Sequence, residues 1–387
     1  MDKARKHIVF LARWYPHRYD PMLGLFVQRH AEAAALYNDI SVVYVHSTDS
    51  TDAIHRASKK YEIVNETKCT DAIHRVSEIR VYYRKSKSKI LSFLRFLKAN
   101  RLALKRLPKP DIIHVHILTR LGIIALWHKI IHGTPYIITE HWSRYLPGND
   151  FSGCFRKTLT KLVVRHASAI TTVTEILAKA MQSHGLRNKN YVTVPNVVDT
   201  NVFKPTPHHN EIPKIVHVSC FENKSKNITC LIDALQILET RDIKFQCVFI
   251  GDGIDFAMIK DYVNKLKHQE NIRFTGILEG QDYVNELSSG DFLVLSSNYE
   301  TQGVVLLEAF ACGMPVVSTN VGGIPEIVNE SNGILVPPHE PEKLADAMQT
   351  MLQTYPSYDA SALHDSITKK FSNETIGELF NSIYTTL

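Results

Sequence analysis

The sequence predicts an α/β protein made of two doubly wound, parallel-sheet domains. Three observations carry this expectation. Short β-branched runs ending in polar residues alternate with longer amphipathic segments, the pattern of strand–helix–strand units. Most of these runs are apolar on both faces, as in parallel strands covered by helices on each side. The alternation completes once and restarts after a proline-dense stretch, Pro195-Asn-Val-Val-Asp-Thr-Asn-Val-Phe-Lys-Pro-Thr-Pro207, which reads as an interdomain linker. A chain of 387 residues with 44% hydrophobic content has room for two cores, since domains run to ~100–200 residues each.

Taken in order, first-half strands are expected at Ile8–Ala12, Ile40–His46, Ile79–Tyr83, Asp111–His116, Tyr136–Glu140, Ala169–Val173 and Tyr191–Val194. Those of the second half are expected at Lys214–Val218, Gln246–Ile250, Ile272–Thr275, Phe292–Ser296, Pro315–Thr319 and Ile334–Val336. One repeat interrupts the pattern: Thr51-Asp-Ala-Ile-His-Arg-Ala-Ser58 recurs as Thr70-Asp-Ala-Ile-His-Arg-Val-Ser77. Two short copies are too few for a solenoid, which needs three or more stacked units. They read as a duplication in a surface excursion.

Composition excludes several classes. No apolar run approaches the ~20 residues of a membrane span. Met1–Lys6, ahead of His7-Ile-Val-Phe-Leu-Ala12, offers no adequate signal-peptide h-region or cleavage site. The six cysteines are scattered with no Cys-x-x-Cys pair, so free thiols in the cytoplasm are expected. The net charge of +6 conceals a split: residues 1–200 hold 32 Lys+Arg against 15 Asp+Glu, and residues 201–387 hold 13 against 24. Such asymmetry implies different partners for the two halves. Arg84–Lys109 alone carries ten basic residues and no acidic one, with apolar positions Ile90, Phe93, Leu94, Leu97, Leu104 and Leu107 at helical spacing. A basic amphipathic helix of this kind lies on an anionic membrane or packs on its own sheet with a solvated basic face. No nucleic-acid recognition motif accompanies the charge.

The richest chemistry lies in Ser296-Ser-Asn-Tyr-Glu-Thr-Gln-Gly-Val-Val-Leu-Leu-Glu-Ala-Phe-Ala-Cys-Gly-Met-Pro-Val-Val-Ser-Thr319. A strand ends near Ser296, and a helix is expected from near Gly303 to near Gly313. The free amides of Gly303, Val304 and Val305 at its start form a ready anion site. Glu308 falls one turn inside, on the face of Val304. A diphosphate at the helix start would place Glu308 to accept hydrogen bonds from an attached ribose, and Glu300 to reach the group beyond. The alternative is that Glu308, among apolar neighbours, is hydrogen-bonded to protein alone.

Glu300-x7-Glu308, followed by Ala-Phe-Ala-Cys-Gly-Met-Pro-Val-Val, resembles the nucleotide-sugar signature of glycosyltransferase family 4. Further segments are similar to that family: Pro195-Asn196-Val-Val-Asp199 with Phe203, Ile250-Gly-Asp-Gly253, Ser168-Ala-Ile-Thr-Thr-Val-Thr174, and Val321-Gly-Gly-Ile-Pro-Glu-Ile-Val328 with Asn332-Gly-Ile-Leu-Val336. The resemblance implies the GT-B fold, two Rossmann-like domains facing a cleft. Residues 1–200 would bind the acceptor, residues 201–370 the nucleotide-sugar, and residues 371–387 would form a helix crossing back to the first domain.

The resemblance also assigns residues. Gly24 matches a glycine that lets backbone approach the donor phosphate; as a residue it reads equally as a turn glycine before a helix. His141 matches a strand-end histidine facing the donor sugar, whereas His114 and His116 read as structural. Lys226 best matches a lysine that holds the diphosphate, with Lys224 as its rival. Two departures stand out. Cys220 occupies the position of an arginine phosphate clamp, which cysteine cannot replace, and Val197 replaces the glycine after Asn196. No Asp-x-Asp pair follows a strand, so no metal is expected at the diphosphate. Gly251-Asp-Gly253-Ile-Asp-Phe256 is no dinucleotide fingerprint.

The resemblance thus implies a retaining enzyme of hexosyltransferase type that uses a nucleotide diphosphate-sugar as co-substrate, needs no cofactor, and acts on a glycan or lipid-linked acceptor. Attack would come from the front face, with the leaving phosphate assisting proton removal, so that no dedicated base is needed. Glu300 and His141 would orient the sugar. Bacterial cell-surface polysaccharide synthesis, in the cytoplasm or peripherally on the inner face of the plasma membrane, is the setting it implies. The rival readings are a nucleotide-sugar 2-epimerase or phosphorylase of the same fold, and a non-catalytic membrane adaptor.

Overall fold

Each expected strand forms in the computed structural model, which describes residues 5–48, 61–69, 75–118, 120–148 and 151–387. The chain divides into two units, Met1–Val197 with Asn373–Leu387, and Val198–Ser372. The first carries an eight-stranded sheet of β1 (His7–Ala12), β2 (Asp39–Thr48), β3 (Tyr61–Cys69), β4 (Arg75–Arg84), β5 (Ile112–His116), β6 (Tyr136–Glu140), β7 (Ala169–Thr172) and β8 (Tyr191–Thr193), in the order β3-β4-β2-β1-β5-β6-β7-β8. Its helices are α1 (Leu25–Ala35), α2 (Lys89–Leu104), α3 (Leu121–His132), α4 (Cys154–His166) and α5 (Glu175–Ser183).

Period-two alternation explains why the strands read as continuous apolar runs. In β1, Val9 and Leu11 enter one core while Ile8, Phe10 and Ala12 enter another on the opposite face. Strand β3 falls outside the expected set. It is an edge strand, antiparallel to β4 from Tyr61↔Tyr83 onward, and its apolar residues alternate with polar ones, so it lacks the signal of a strand buried on both faces. The duplicated segment lies outside the described residues, apart from Arg75, Val76 and Ser77, which open β4.

The second unit carries an all-parallel sheet of β9 (Lys214–Val218), β10 (Gln246–Ile250), β11 (Ile272–Gly276), β12 (Phe292–Leu295), β13 (Val316–Thr319) and β14 (Gly333–Val336), ordered β11-β10-β9-β12-β13-β14. Its helices are α6 (Asn223–Lys226), α7 (Ile228–Thr240), α8 (Phe256–Val263), α9 (Gly280–Ser288), α10 (Val304–Ala311), α11 (Pro341–Thr354) and α12 (Ala360–Phe371). The last helix, α13 (Asn373–Thr385), belongs to the first unit. There Ile376, Phe380 and Tyr384 pack with Val27 and Ala31 of α1. A Cβ at Gly377 would lie 2.4 Å from the Ala33 carbonyl oxygen, so the helix pair approaches more closely than any side chain there allows.

The apolar stripe expected on Arg84–Lys109 is divided by the fold. Phe93, Leu97, Leu104 and Leu107 pack against the core, whereas Ile90, Leu91 and Leu94 are exposed. Phe93 and Leu97 are thus already engaged by the sheet, and the solvent face of α2 presents Ile90, Leu91 and Leu94 among its basic residues. No described helix is long and apolar enough to cross a membrane.

Candidate active site

In the second sheet the strand order reverses between β9 and β12, with β10 and β11 on one side and β13 and β14 on the other. Open parallel sheets bind ligands at the carboxyl ends of strands beside such a switch point. The loops leaving β9, β12 and β13 meet there, and they carry Lys226, Glu300 and the Gly322–Gly323 turn.

These loops are fastened to one another. Ser296 Oγ donates to the Lys226 carbonyl at 3.0 Å, Asn298 N to the Ser225 carbonyl at 2.8 Å, and Thr319 Oγ1 to the Ser297 carbonyl at 2.7 Å. His217, buried at the end of β9, donates through Nδ1 to the Val294 carbonyl and accepts from Ser219 Oγ at Nε2. Burial pushes its imidazole down to about 4, so it stays neutral and structural.

Lys226 Nζ donates to Glu300 Oε1 at 2.5 Å, and Ser297 Oγ donates to the same oxygen at 2.9 Å. Burial alone would lower the Lys226 ammonium, but the Glu300 carboxylate outweighs it and holds the group above its ordinary value. Lys226 is therefore a fixed, half-buried cation. Its rival Lys224 is exposed. Glu300 is held from behind as well: Gly322, at φ 52°, sits where a Cβ would be 1.7 Å from the Glu300 carbonyl oxygen, and Gly323 N donates to that oxygen. Only glycine allows the β13–β14 connection to cradle Glu300 this closely.

Gly303 adopts φ 75° as the N-cap of α10, so the first amides of Val304 and Val305, a few residues past Glu300 in the chain, have no intrahelical acceptors. Their partial positive charge at the helix start suits an anion. Glu308, one turn on and only 6% exposed, accepts a 2.6 Å hydrogen bond at Oε2 from the Tyr283 hydroxyl of α9. Tyr283 is thus a protein partner for Glu308 that sequence spacing does not indicate. Cys220 is exposed on the β9–α6 loop, beneath which Gly251 and Gly253 pack. A Cβ at Gly251 would lie 2.0 Å from the Ser219 carbonyl oxygen.

In the first sheet the reversal falls between β1 and β5. Gly24, at φ 71°, caps α1 where a Cβ would be 2.4 Å from the Trp14 carbonyl carbon, so the glycine is required by backbone contact alone. His141 follows β6. Its Nδ1 lies 3.1 Å from Asn196 Oδ1, its Nε2 lies 3.3 Å from His116 Nδ1, and its ring packs against Phe26 of α1 at 4.6 Å. Asn196 thereby gives the linker motif a direct role in orienting His141.

Glu140 is a further residue that sequence reasoning misses. Burial pushes its carboxyl up to about 7, although it accepts backbone N–H bonds from Leu118, His141 and Trp142. The bonds fix the backbone that carries His141. A buried acid ending a strand beside a histidine is the available signal. His114, by contrast, is satisfied by Tyr384 and Thr139.

Sequence profiles match both halves: the one described as glycosyl transferases group 1 over residues 198–363, and the one described as glycosyltransferase family 4 over residues 26–202. N-acetyl-alpha-D-glucosaminyl L-malate synthase of Bacillus anthracis is 28% identical over 290 residues, covering 71% of this chain and 74% of that protein. A sulfoquinovosyl transferase of Arabidopsis thaliana is 28% identical over 264 residues, covering 63% of this chain and 50% of that protein. Among solved structures, Anabaena HepE in complex with UDP-glucose superposes with a TM-score of 0.71 at 17% identity, covering 99% of this chain and all (100%) of that one.

Proposed function

The chain belongs to glycosyltransferase family 4 and has the GT-B fold, and from that premise we propose that it is a retaining enzyme moving a hexose from a nucleoside diphosphate-sugar to a glycan or lipid-linked acceptor. The observation that carries this reading is the Lys226–Glu300 pair at the switch point of the second sheet, on the loop that leads into α10 with its free first amides and its buried Glu308. The cation and helix amides would neutralise the diphosphate as the glycosidic bond breaks. Glu308 would hold the ribose. Glu300 and His141 would orient the sugar, as the family resemblance implies. Because no Asp-x-Asp pair follows a strand in the sequence, the charge on the leaving diphosphate is assigned to Lys226 and the amides.

A membrane setting draws support from the first unit. A cavity of about 1050 Å³ lies between α2 and α3, walled by Leu97, Leu104 and Trp127 and bordered by exposed Lys98, Arg101 and Lys105. Apolar walls with cationic borders suit the acyl chains and phosphates of a membrane surface; the cavity opens at the start of β5, the sheet edge opposite the strand ends where His141 stands, and is not assigned to the acceptor. The neighbouring exposed residues Ile90, Leu94 and Ile130 suit contact with the inner face of an anionic membrane, the setting of cell-surface polysaccharide synthesis.

A thermal-shift screen over UDP-, GDP-, ADP- and CMP-sugars tests the donor reading. A donor at ~100 times its Kd adds about 2.7 kcal/mol to native stability. One donor should raise the melting temperature, and product analysis should then show a glycoside that forms only when acceptor is present. A sugar epimer or sugar phosphate formed without acceptor would mean an epimerase or phosphorylase, and no shift with any donor would favour the adaptor.

A further inference from the structure

We propose that His30, His116 and His141 form a binding site for one borderline-soft divalent transition-metal ion of the Zn²⁺ class, and that the bound ion inhibits sugar transfer by engaging His141. The inhibitory half rests on His141 facing the sugar; the binding half does not.

The three imidazoles come from α1, β5 and the end of β6, and one ring nitrogen of each lies within 4.8 Å of the others. His30 and His116 are fully buried and His141 is 7% exposed. Hydrogen-bond partners set the tautomers. His30 Nε2 lies 2.8 Å from the Pro195 carbonyl oxygen, which can only accept, so Nε2 carries the proton and Nδ1 the lone pair. His141 Nδ1 faces Asn196 Oδ1, leaving a lone pair on Nε2. His116 Nδ1–H then donates to His141 Nε2, and the second His116 nitrogen is a lone pair too.

The result is a buried surplus of acceptors. His30 Nδ1 and His116 Nε2 have no hydrogen-bond partner although no water reaches them, and a buried unpaired polar atom costs ~1–3 kcal/mol. Burial keeps the rings neutral, holding His30 down to about 4 and His116 and His141 well below their ordinary value. Neutral imidazoles with free lone pairs are what a transition metal requires. The 3.3 Å between His116 Nδ1 and His141 Nε2 also matches the edge of a tetrahedral site with Zn–N bonds of ~2.0–2.1 Å. A metal would take the place of this hydrogen bond, the His116 proton moving from Nδ1 to Nε2, so that His116 Nδ1 and His141 Nε2 turn lone pairs to the ion beside His30 Nδ1. Pro195 O and Asn196 Oδ1 already hold the outward nitrogens, the supporting role that carbonyls and carboxylates take around zinc histidines. Three histidines leave a fourth coordination position open.

The test titrates the intact, EDTA-treated protein with Co²⁺, whose visible absorption becomes intense on tetrahedral coordination. One equivalent should develop the band, and Zn²⁺ should displace it. His30→Gln and His116→Gln, each checked for an unchanged melting curve without metal, should each weaken binding tenfold or more. Absence of the band, or a band unaffected by both substitutions, overturns the site. If neither variant folds, pulsed EPR of the wild-type Cu²⁺ complex decides: three coordinated imidazoles support the assignment and fewer overturn it. Zn²⁺ should inhibit transfer over the concentration range of the titration. Binding without inhibition would leave the site standing and overturn the sugar-facing reading of His141.

Discussion

Lys226 and Glu300 should respond in opposite directions when nucleotide binding is measured. At 2.5 Å and an effective dielectric of about 20, their gross attraction is about 7 kcal/mol. Desolvation offsets much of this, because the side chains are only 19% and 12% exposed. In Lys226→Met the diphosphate loses a charge-assisted contact of ~1.5–3 kcal/mol, so affinity should fall about ten- to hundredfold. Glu300→Gln keeps the shape and the Ser297 bond while releasing Lys226 from its anionic partner. Binding of the free nucleoside diphosphate should then hold or tighten, and sugar transfer should fall. Calorimetry with the nucleotide selected by the thermal-shift screen reads the first effect, and product formation reads the second. Equal weakening of nucleotide binding by both substitutions, or none with Lys226→Met, would refute the assignment of cation and sugar-orienting acid.

Four further outcomes are expected. Glu308→Ala should weaken nucleoside diphosphate binding by the ~1.5–3 kcal/mol of a lost charged hydrogen bond, whereas Tyr283→Phe should change it far less; calorimetry separates them. Transfer should survive EDTA, and complete loss restored by magnesium or manganese would place a metal at the diphosphate. The protein should sediment with anionic but not neutral vesicles, at roughly 1 kcal/mol per engaged Lys or Arg, and release in ~0.5 M salt as screening shortens; replacing the exposed Lys85, Lys87 and Lys89 by glutamate should abolish binding without changing nucleotide affinity. Fully buried His30 and His217 have their ordinary value of 6.5 lowered to about 4. The unfolded chain therefore binds more protons at these two groups between those values, so their contribution to stability is full above pH 6.5 and falls as pH drops toward 4, with about 2 kcal/mol per group lost by pH 5. Denaturant titrations at pH 7.5 and pH 5 measure this, and His217→Gln should shift the difference by about 2 kcal/mol, the contribution of one group.

The plan of two parallel sheets was legible because burial on both faces writes itself into consecutive residues. Ile8 to Ala12 and Phe292 to Leu295 are unbroken apolar runs because neighbouring side chains enter different cores. Gly303 and Gly313 likewise bracket α10 through local backbone demands, each with positive φ. The edge strand β3 carried no such signal, with one partner and one face half-covered. The helical spacing of Phe93 and Leu94 could not say which of them the sheet would cover, since that depends on how α2 rotates against β2 and β4.

The residues on which the chemistry rests were nameable from motif spacing, but their pairings were not. Lys226 and Glu300 stand 74 positions apart, and they meet because β9 lies beside β12. Gly322 needs to be glycine only because its turn closes on the Glu300 carbonyl. His30, His116 and His141 converge because β1, β5 and β6 are neighbours in the first sheet. Hydrophobic periodicity is a local property and determines which segments are strands and helices. Strand order is settled by how those elements share one buried sheet, and only that order decides which loop ends meet.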